Sequence, residues 1–281
     1  MASDTLYHYC PSEAFFSIVE NKNIWASDFF QSNDSSEAVV IKSAAINYMR
    51  HHSISNEMEH HVICIIDFCI ENSLYFGFSF TNNGDLLSQW RGYSDGGKGV
   101  CIGFDRKFLE EVVEEKFNVR GGAEIGKVCY ISEREFEPVN NMLRFLCEKI
   151  HANNVVEKSR HCYNKGVKLK YGDVFSDRDI EEIITSVVPC AIKLKDNSFR
   201  EEAEERLIIH SLRKKMPDFN FRCKNGSLIP YDIIDLDPKR SPINRVVLGA
   251  MHKTQEEYVG NFLYRNGFCL TQVERSSIPL R

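Results

Sequence analysis

The chain has 281 residues, 43% of them hydrophobic, enough to bury the core of one large domain or two small ones. Its net charge of −5 leaves no global basic footprint, so any contact with nucleic acid has to come from a local patch. The longest apolar run, Val62 to Ile66, is far too short to span a bilayer, and the N-terminus lacks a basic-then-apolar leader, so no membrane partner is expected.

In chain order, Leu6–Cys10 reads as an aromatic strand, and Pro11-Ser12 introduces a helix over Glu13–Val19 with Ser12 as a cap. Asn23–Ala26 suits a short strand. Asn33–Glu37 is a polar loop leading into a helix over Ala38–Arg50, and Met58–Ile70 fits either a buried strand or a buried helix. Tyr75–Thr81 reads as a strand, and Asp85 as the cap of a short helix carrying Gln89, Trp90 and Arg91. Gly92–Gly99 then turns into a strand over Val100–Phe104; Gly96-Gly97-Lys98-Gly99 lacks Walker spacing, so a hairpin or a lid is expected there.

Arg106–Phe117 is an amphipathic helix and Lys127–Ile131 a strand. The stretch from 133 to 170 is mostly helical, and Asp177–Val188 is a helix expected to stop near Pro189. Asn225-Gly226, between two strand-like runs over Phe219–Ile234, signals a hairpin. Arg245–Ala250 reads as a strand, Thr254–Asn266 as a helix and Phe268–Arg275 as a last strand. Neither a linker nor a repeat divides the chain, which gives one mixed α+β domain.

Ten scattered cysteines in a chain without a leader imply a reduced, cytoplasmic setting. The best metal candidates, His60, His61, Cys64 and Cys69, lack a CxxC pair, so no metal site is expected. The stretch Phe199–His210 holds Glu201, Glu202, Glu204 and Glu205, then Arg206 and the apolar run Leu207–Ile209. If that run is a strand, Glu202, Glu204 and Arg206 leave on one side of an extended chain. They would then suit a sugar hydroxyl and a cationic transition state; the alternative is a helix start with solvated glutamates.

Leu6-Tyr-His-Tyr, Ser79-Phe-Thr, Ser88-Gln-Trp-Arg-Gly-Tyr with Lys98-Gly-Val-Cys-Ile-Gly-Phe, Phe199-x-x-Glu-x-Glu-x-Arg206 and Ser277-Ile-Pro-Leu-Arg281 occur in that order. This series resembles a largely bacterial family known as domain of unknown function 2971. That family in turn looks like a distant branch of the ADP-ribosyltransferase fold, a split, strongly bent pair of β-sheets holding NAD in the cleft. Cys10 and Glu205 depart from the pattern, where a threonine and an aromatic residue are frequent.

The resemblance implies one ADP-ribosyltransferase-like domain over 1–281 with a helical insertion around 133–190. It implies Glu204 as the catalytic carboxylate, Glu202 as the group that orients the acceptor, and His8 as the partner of the ribose hydroxyls. The Tyr9 backbone would hold the carboxamide, Ser79 and Thr81 would support the nicotinamide pocket, Trp90 or Tyr93 would stack on its ring, and Arg91 would bind the pyrophosphate. Arg206 would hold the loop against the sheet, and Glu201 and Glu205 would face solvent. The implied activity is transfer of ADP-ribose from NAD to a nucleic acid or protein, as a toxin in phage defence, with an antitoxin protein as a further partner. NAD hydrolysis and a non-catalytic nucleotide- or partner-binding module are the alternatives. Arg213, Lys214, Lys215, Arg222 and Lys224 offer a basic rim for a nucleic-acid acceptor.

Overall fold

The computed structural model describes residues 4–29, 36–120, 122–132, 139–212, 219–224 and 226–279. The chain folds as an α+β protein around one large mixed sheet. In chain order its strands are β1 (Thr5–Cys10), β2 (Asn23–Asp28), β3 (Ser73–Thr81), β4 (Val100–Asp105), β5 (Ala123–Lys127), β8 (Glu204–Leu212), β9 (Asn220–Lys224), β10 (Ser227–Asp235), β11 (Ile243–Leu248) and β12 (Gln272–Arg275). They run β12-β11-β4-β1-β3-β2-β10-β9, with β8 added to β3 and β5 to β8. A separate parallel pair joins β6 (Cys129–Ile131) to β7 (Leu194–Asp196).

The sheet is split at β3. One edge of β3 pairs with β8 along its whole length, from Ser73 to Thr81. The other edge is shared: β2 takes Phe76 and Gly77, whereas β1 touches it only at Tyr7↔Thr81. Beyond Tyr7, β1 and β3 part company, and β1 continues against β4 from Thr5 to Cys10.

Side-chain alternation divides the sheet into two faces. Leu6, Cys10, Ile24, Ala26, Phe76, Phe80, Ile102, Phe104 and Leu207 bury one face. It packs against α1 (Ser12–Asn21), α5 (Arg106–Arg120) and α9 (Glu256–Arg265) through Phe15, Val19, Phe108, Leu109, Val259 and Leu263. The other face carries Tyr75 and Ile208 under a layer made of α2 (Ser36–His51), α3 (Asn56–Asn72), α6 (Asn140–Ala152), α7 (Val155–Asn164) and α8 (Asp177–Lys193). On that same face Tyr7, Tyr9, Cys101 and Val247 pack with Trp90 of the short helix α4 (Leu87–Tyr93). Between α4 and the helical layer, Gly77 and Ser79 keep part of that face half-exposed.

Most expected elements are present, with instructive exceptions. Met58–Ile70 is helical: the Ser55 side chain accepts from the Met58 N–H and starts α3. The expected strand Lys127–Ile131 is broken into the last residue of β5 and the whole of β6, which belong to different sheets. Pro189 lies inside α8 rather than ending it, because Ile183, Ile184, Val187, Val188, Ala191 and Ile192 anchor both sides of the proline in the core. Ser12 does not cap α1; its hydroxyl donates to the Lys98 carbonyl at 3.1 Å, and Pro11 takes the cap position.

Gly92–Gly99 forms no hairpin. Its flanking strands β3 and β4 stand on opposite sides of β1. A Cβ at Gly99 would fall 2.2 Å from the Cys10 carbonyl oxygen, so the glycine serves close packing. The hairpin over β9 and β10 is present, with Ser227 opposite Lys224 and Gly226 at φ 78°. Of the polar loop expected over Asn33–Glu37, residues 33–35 lie outside the described residues, as do Arg213, Lys214, Lys215 and the chain end at 280–281. Among the described residues, no helix is long and apolar enough to cross a membrane.

Candidate functional site

The run Leu207–Ile209 is part of β8, so the helical alternative for this stretch is wrong. A short 3-10 turn over Asn197–Glu202 leads through Ala203, held at φ 45°, into β8. Glu204 pairs with Thr81 and Arg206 with Ser79, which puts both side chains on the reachable face. Glu202, at the end of the turn, joins them from the side.

These groups form one hydrogen-bonded cluster. Arg206, 1% exposed, takes Glu204 in a bidentate pair, Nε to Oε1 at 2.7 Å and Nη2 to Oε2 at 2.9 Å. Its Nη1 donates to the Ile192 carbonyl at the end of α8, and the guanidinium lies 4.5 Å from the centre of the Phe29 ring. Lys195 Nζ donates to Glu204 Oε2 at 2.9 Å and also to Glu202 Oε2, while the Tyr93 hydroxyl donates to Glu202 Oε1 at 3.0 Å. The Tyr130 hydroxyl accepts from the Glu204 N–H at 2.7 Å.

Electrostatics follow from this packing. Burial would raise the Glu204 pKa, but the Arg206 charge and hydrogen bond, the Lys195 charge and the Ser79 hydroxyl together hold it below the ordinary carboxylate value. Burial would lower the Lys195 pKa, but Glu204 and Glu202 hold its ammonium above the usual lysine range. Tyr93 is pushed up to about 12, first by burial and then by Glu202. Glu204 is thus ionised and Lys195 protonated at neutral pH.

The other expected site residues scatter more. His8 alternates with Tyr7 and Tyr9, so it starts from the face opposite Glu204 and rests against Phe78 at 4.2 Å between ring centres. The split lets its ring reach Ser79 edgewise, with Nδ1 2.9 Å from the Ser79 carbonyl oxygen. Burial lowers its pKa to about 4, against the Ser79 bond, so the ring is neutral at pH 7. A carbonyl only accepts, so the neutral ring donates from Nδ1 and keeps Nε2 as an acceptor. Ser79 therefore links both sides: its carbonyl holds His8 and its hydroxyl acts on Glu204.

Tyr9 is buried. Its hydroxyl donates to the Asn83 carbonyl and accepts from the Leu86 N–H, while its ring meets Trp90 edge-on at 4.8 Å. Thr81 is buried beside Glu204 in the ladder. Trp90 is fully buried and its Nε1 donates to Asp85 at 2.7 Å, so it has no face to offer a ligand. Tyr93, 48% exposed, is the ring of this segment that borders the carboxylates. Arg91 is exposed and makes no ion pair among the described residues.

Two expectations are corrected. Glu205 does not face solvent: it is 3% exposed on the opposite face, bound by Arg106 Nη2 at 3.0 Å to each oxygen and by Asn82 at 2.8 Å. Asp85 does not cap α4; it accepts from Trp90 Nε1, from the Ser276 hydroxyl and from the Ser277 N–H and hydroxyl, tying the chain end to α4. Glu201 is exposed, as expected. Lys195 and Tyr130 were missed because nothing local to Leu194–Asp196 or Cys129–Ile131 marks them; only the β6–β7 pairing brings them to β8.

His60 lies 3.7 Å from Cys64, while His61 turns away to the Tyr171 hydroxyl and Cys69 is buried. No group of three or more His, Cys, Asp or Glu suited to a metal occurs among the described residues.

The family described as "Protein of unknown function (DUF2971)" matches residues 89–207, which bears out the family resemblance. The matched stretch contains Trp90, Tyr93, Lys195, Glu202, Glu204 and Arg206, and leaves His8 and Ser79 outside it. No curated protein and no solved structure matches the chain.

Proposed function

We propose that the protein is an NAD-dependent ADP-ribosyltransferase, with its sheet split in the manner of that fold. The observation that carries this reading is the junction at Ser79, where β1 and β3 separate, the Ser79 carbonyl takes the His8 ring from β1 and the Ser79 hydroxyl acts on Glu204 of β8. Breaking the nicotinamide–ribose bond sends its electron pair to the pyridinium nitrogen, so neutral nicotinamide leaves and C1′ becomes oxocarbenium-like. Glu204, kept ionised by its cations, suits that charge, and His8 Nε2 suits a ribose hydroxyl. The acceptor then bonds to C1′ and gives its proton to Glu202. The acceptor is a nucleic acid or protein, and a toxin role in phage defence with a restraining antitoxin fits an activity that spends NAD.

Glu204 already receives two bonds from Arg206, one from Lys195 and one from Ser79, about the full capacity of a carboxylate. A ribose hydroxyl has to replace one of them. Lys195, 14% exposed and shared with Glu202, is the donor placed to yield. The same saturation favours a second reading, a nucleotide-binding module without turnover.

Incubation of the purified chain with NAD labelled in the adenylate half, with and without cell lysate, tests both. Transfer predicts nicotinamide release, with label entering a nuclease-sensitive or a protease-sensitive fraction. Free ADP-ribose alone makes the protein a glycohydrolase. Absence of nicotinamide with lysate present ends the enzyme reading and leaves the binding module.

A further inference from the structure

The helical layer carries a groove of about 550 Å³ between α7 and the segment 167–170. Lys158, His161, Lys168 and Lys170 line it, with Glu157 and Asp173 among the remaining lining groups. Lys158 and His161 are three apart on α7, and Lys165 at its C-cap stands one further turn along the same face. Lys168 and Lys170 are two apart in the irregular segment that follows α7, and both line the groove.

The groove lining carries Lys158, Lys168 and Lys170 against Glu157 and Asp173, a net +1 that Lys165 on the same face of α7 raises to +2, in a chain of −5 overall. Arg160 is spent on Glu57, at 2.8 Å. Lys158, Lys165, Lys168 and Lys170 are all exposed and make no ion pair among the described residues. Free cations gathered at a groove in an acidic protein call for an anionic ligand. Their layout selects its kind. A small anion needs donors that converge on one point, whereas these stand in two rows, one along α7 and one along the segment that follows it. Such rows suit a chain of phosphates.

We propose that this groove binds a single-stranded nucleic acid through its phosphates, as a binding surface separate from the carboxylate cluster. The 17-residue helix α8 starts three residues beyond Val174 of the groove and ends two before Lys195, so roughly 25 Å separates the two sites. The inference stands whether or not the protein cleaves NAD.

The test is fluorescence anisotropy with a labelled 20-nucleotide RNA of mixed sequence, read from 50 to 200 mM salt. Neutralising four phosphate contacts gives a slope of log K against log salt of about −3. Replacing Lys158, Lys165, Lys168 and Lys170 together with Gln lowers affinity at least tenfold at 50 mM salt. A control that replaces Lys22, Lys107, Lys239 and Lys253 with Gln changes net charge equally and keeps wild-type binding. Circular dichroism checks that both variants fold. No binding by wild type at 50 mM salt, or equal losses in the two variants, overturns the proposal. So does equal affinity of wild type and the groove variant.

Discussion

At the scale of single residues, the carboxylates on β8 have opposite fates although they adjoin in sequence. Glu204 points into the reachable cluster and Glu205 into a buried pair with Arg106, as alternation requires. If Glu204 stabilises a cationic transition state, Glu204→Gln keeps the shape, removes the charge and lowers nicotinamide release at least ~100-fold. A variant that retains near-wild-type turnover while folded removes Glu204 from the chemistry. Linkage gives a second prediction. His8 has a pKa of about 4 in the folded chain against 6.5 as its ordinary value, so between these the unfolded chain binds more protons. Its contribution is complete above pH 6.5 and is lost as pH falls toward 4. His61, His210 and His252 are shifted the same way by burial, so they share this limb. The urea midpoint of wild type drops between pH 7 and pH 5, and in His8→Phe that drop is smaller. An unchanged drop means that His8 is not buried as described.

At the scale of elements, α4 is held by a side chain that local reading assigned to a different task. Asp85 accepts from Trp90 Nε1 inside the helix and from Ser276 and Ser277 near the chain end. Asp85→Ala leaves the indole N–H buried without a partner, at a cost of about 1–3 kcal/mol in denaturant unfolding. Faster hydrogen exchange over 276–279 accompanies it; unchanged exchange there means that the serines hold without Asp85. The same contrast marks what was legible in the sequence. Period-two alternation was enough to put Glu204 and Arg206 on one side, whereas Glu202 reaches them from a 3-10 turn that alternation does not describe, and Asn225-Gly226 was enough to signal the β9–β10 hairpin. Lys195 and Tyr130 left no local trace, because their positions depend on a parallel pairing between segments more than sixty residues apart. Glu205 was misread since its partner Arg106 lies 99 residues away. Pro189 misled because a breaker signal is local whereas the core that overrides it is not.

At the scale of the whole molecule, Arg206 joins the sheet to the helical layer. Its guanidinium binds Glu204 on β8, donates to the Ile192 carbonyl in the last turn of α8 and lies over Phe29 beyond β2. A cation at a helix C-terminus satisfies a carbonyl that the helix itself cannot. Removing it strands the Glu204 charge, with Lys195 as its remaining cation. Arg206→Met therefore costs about 3–5 kcal/mol in denaturant unfolding, the usual penalty for breaking a buried pair by one partner. Arg206→Met combined with Glu204→Leu recovers part of that loss, because the stranded charge is gone. Hydrogen exchange separates the two roles: in both variants the last turn of α8 loses protection, since the bond to Ile192 is absent from each. If the single variant loses less than ~1 kcal/mol, the pair behaves like an exposed surface bridge and the two layers are held by apolar packing alone.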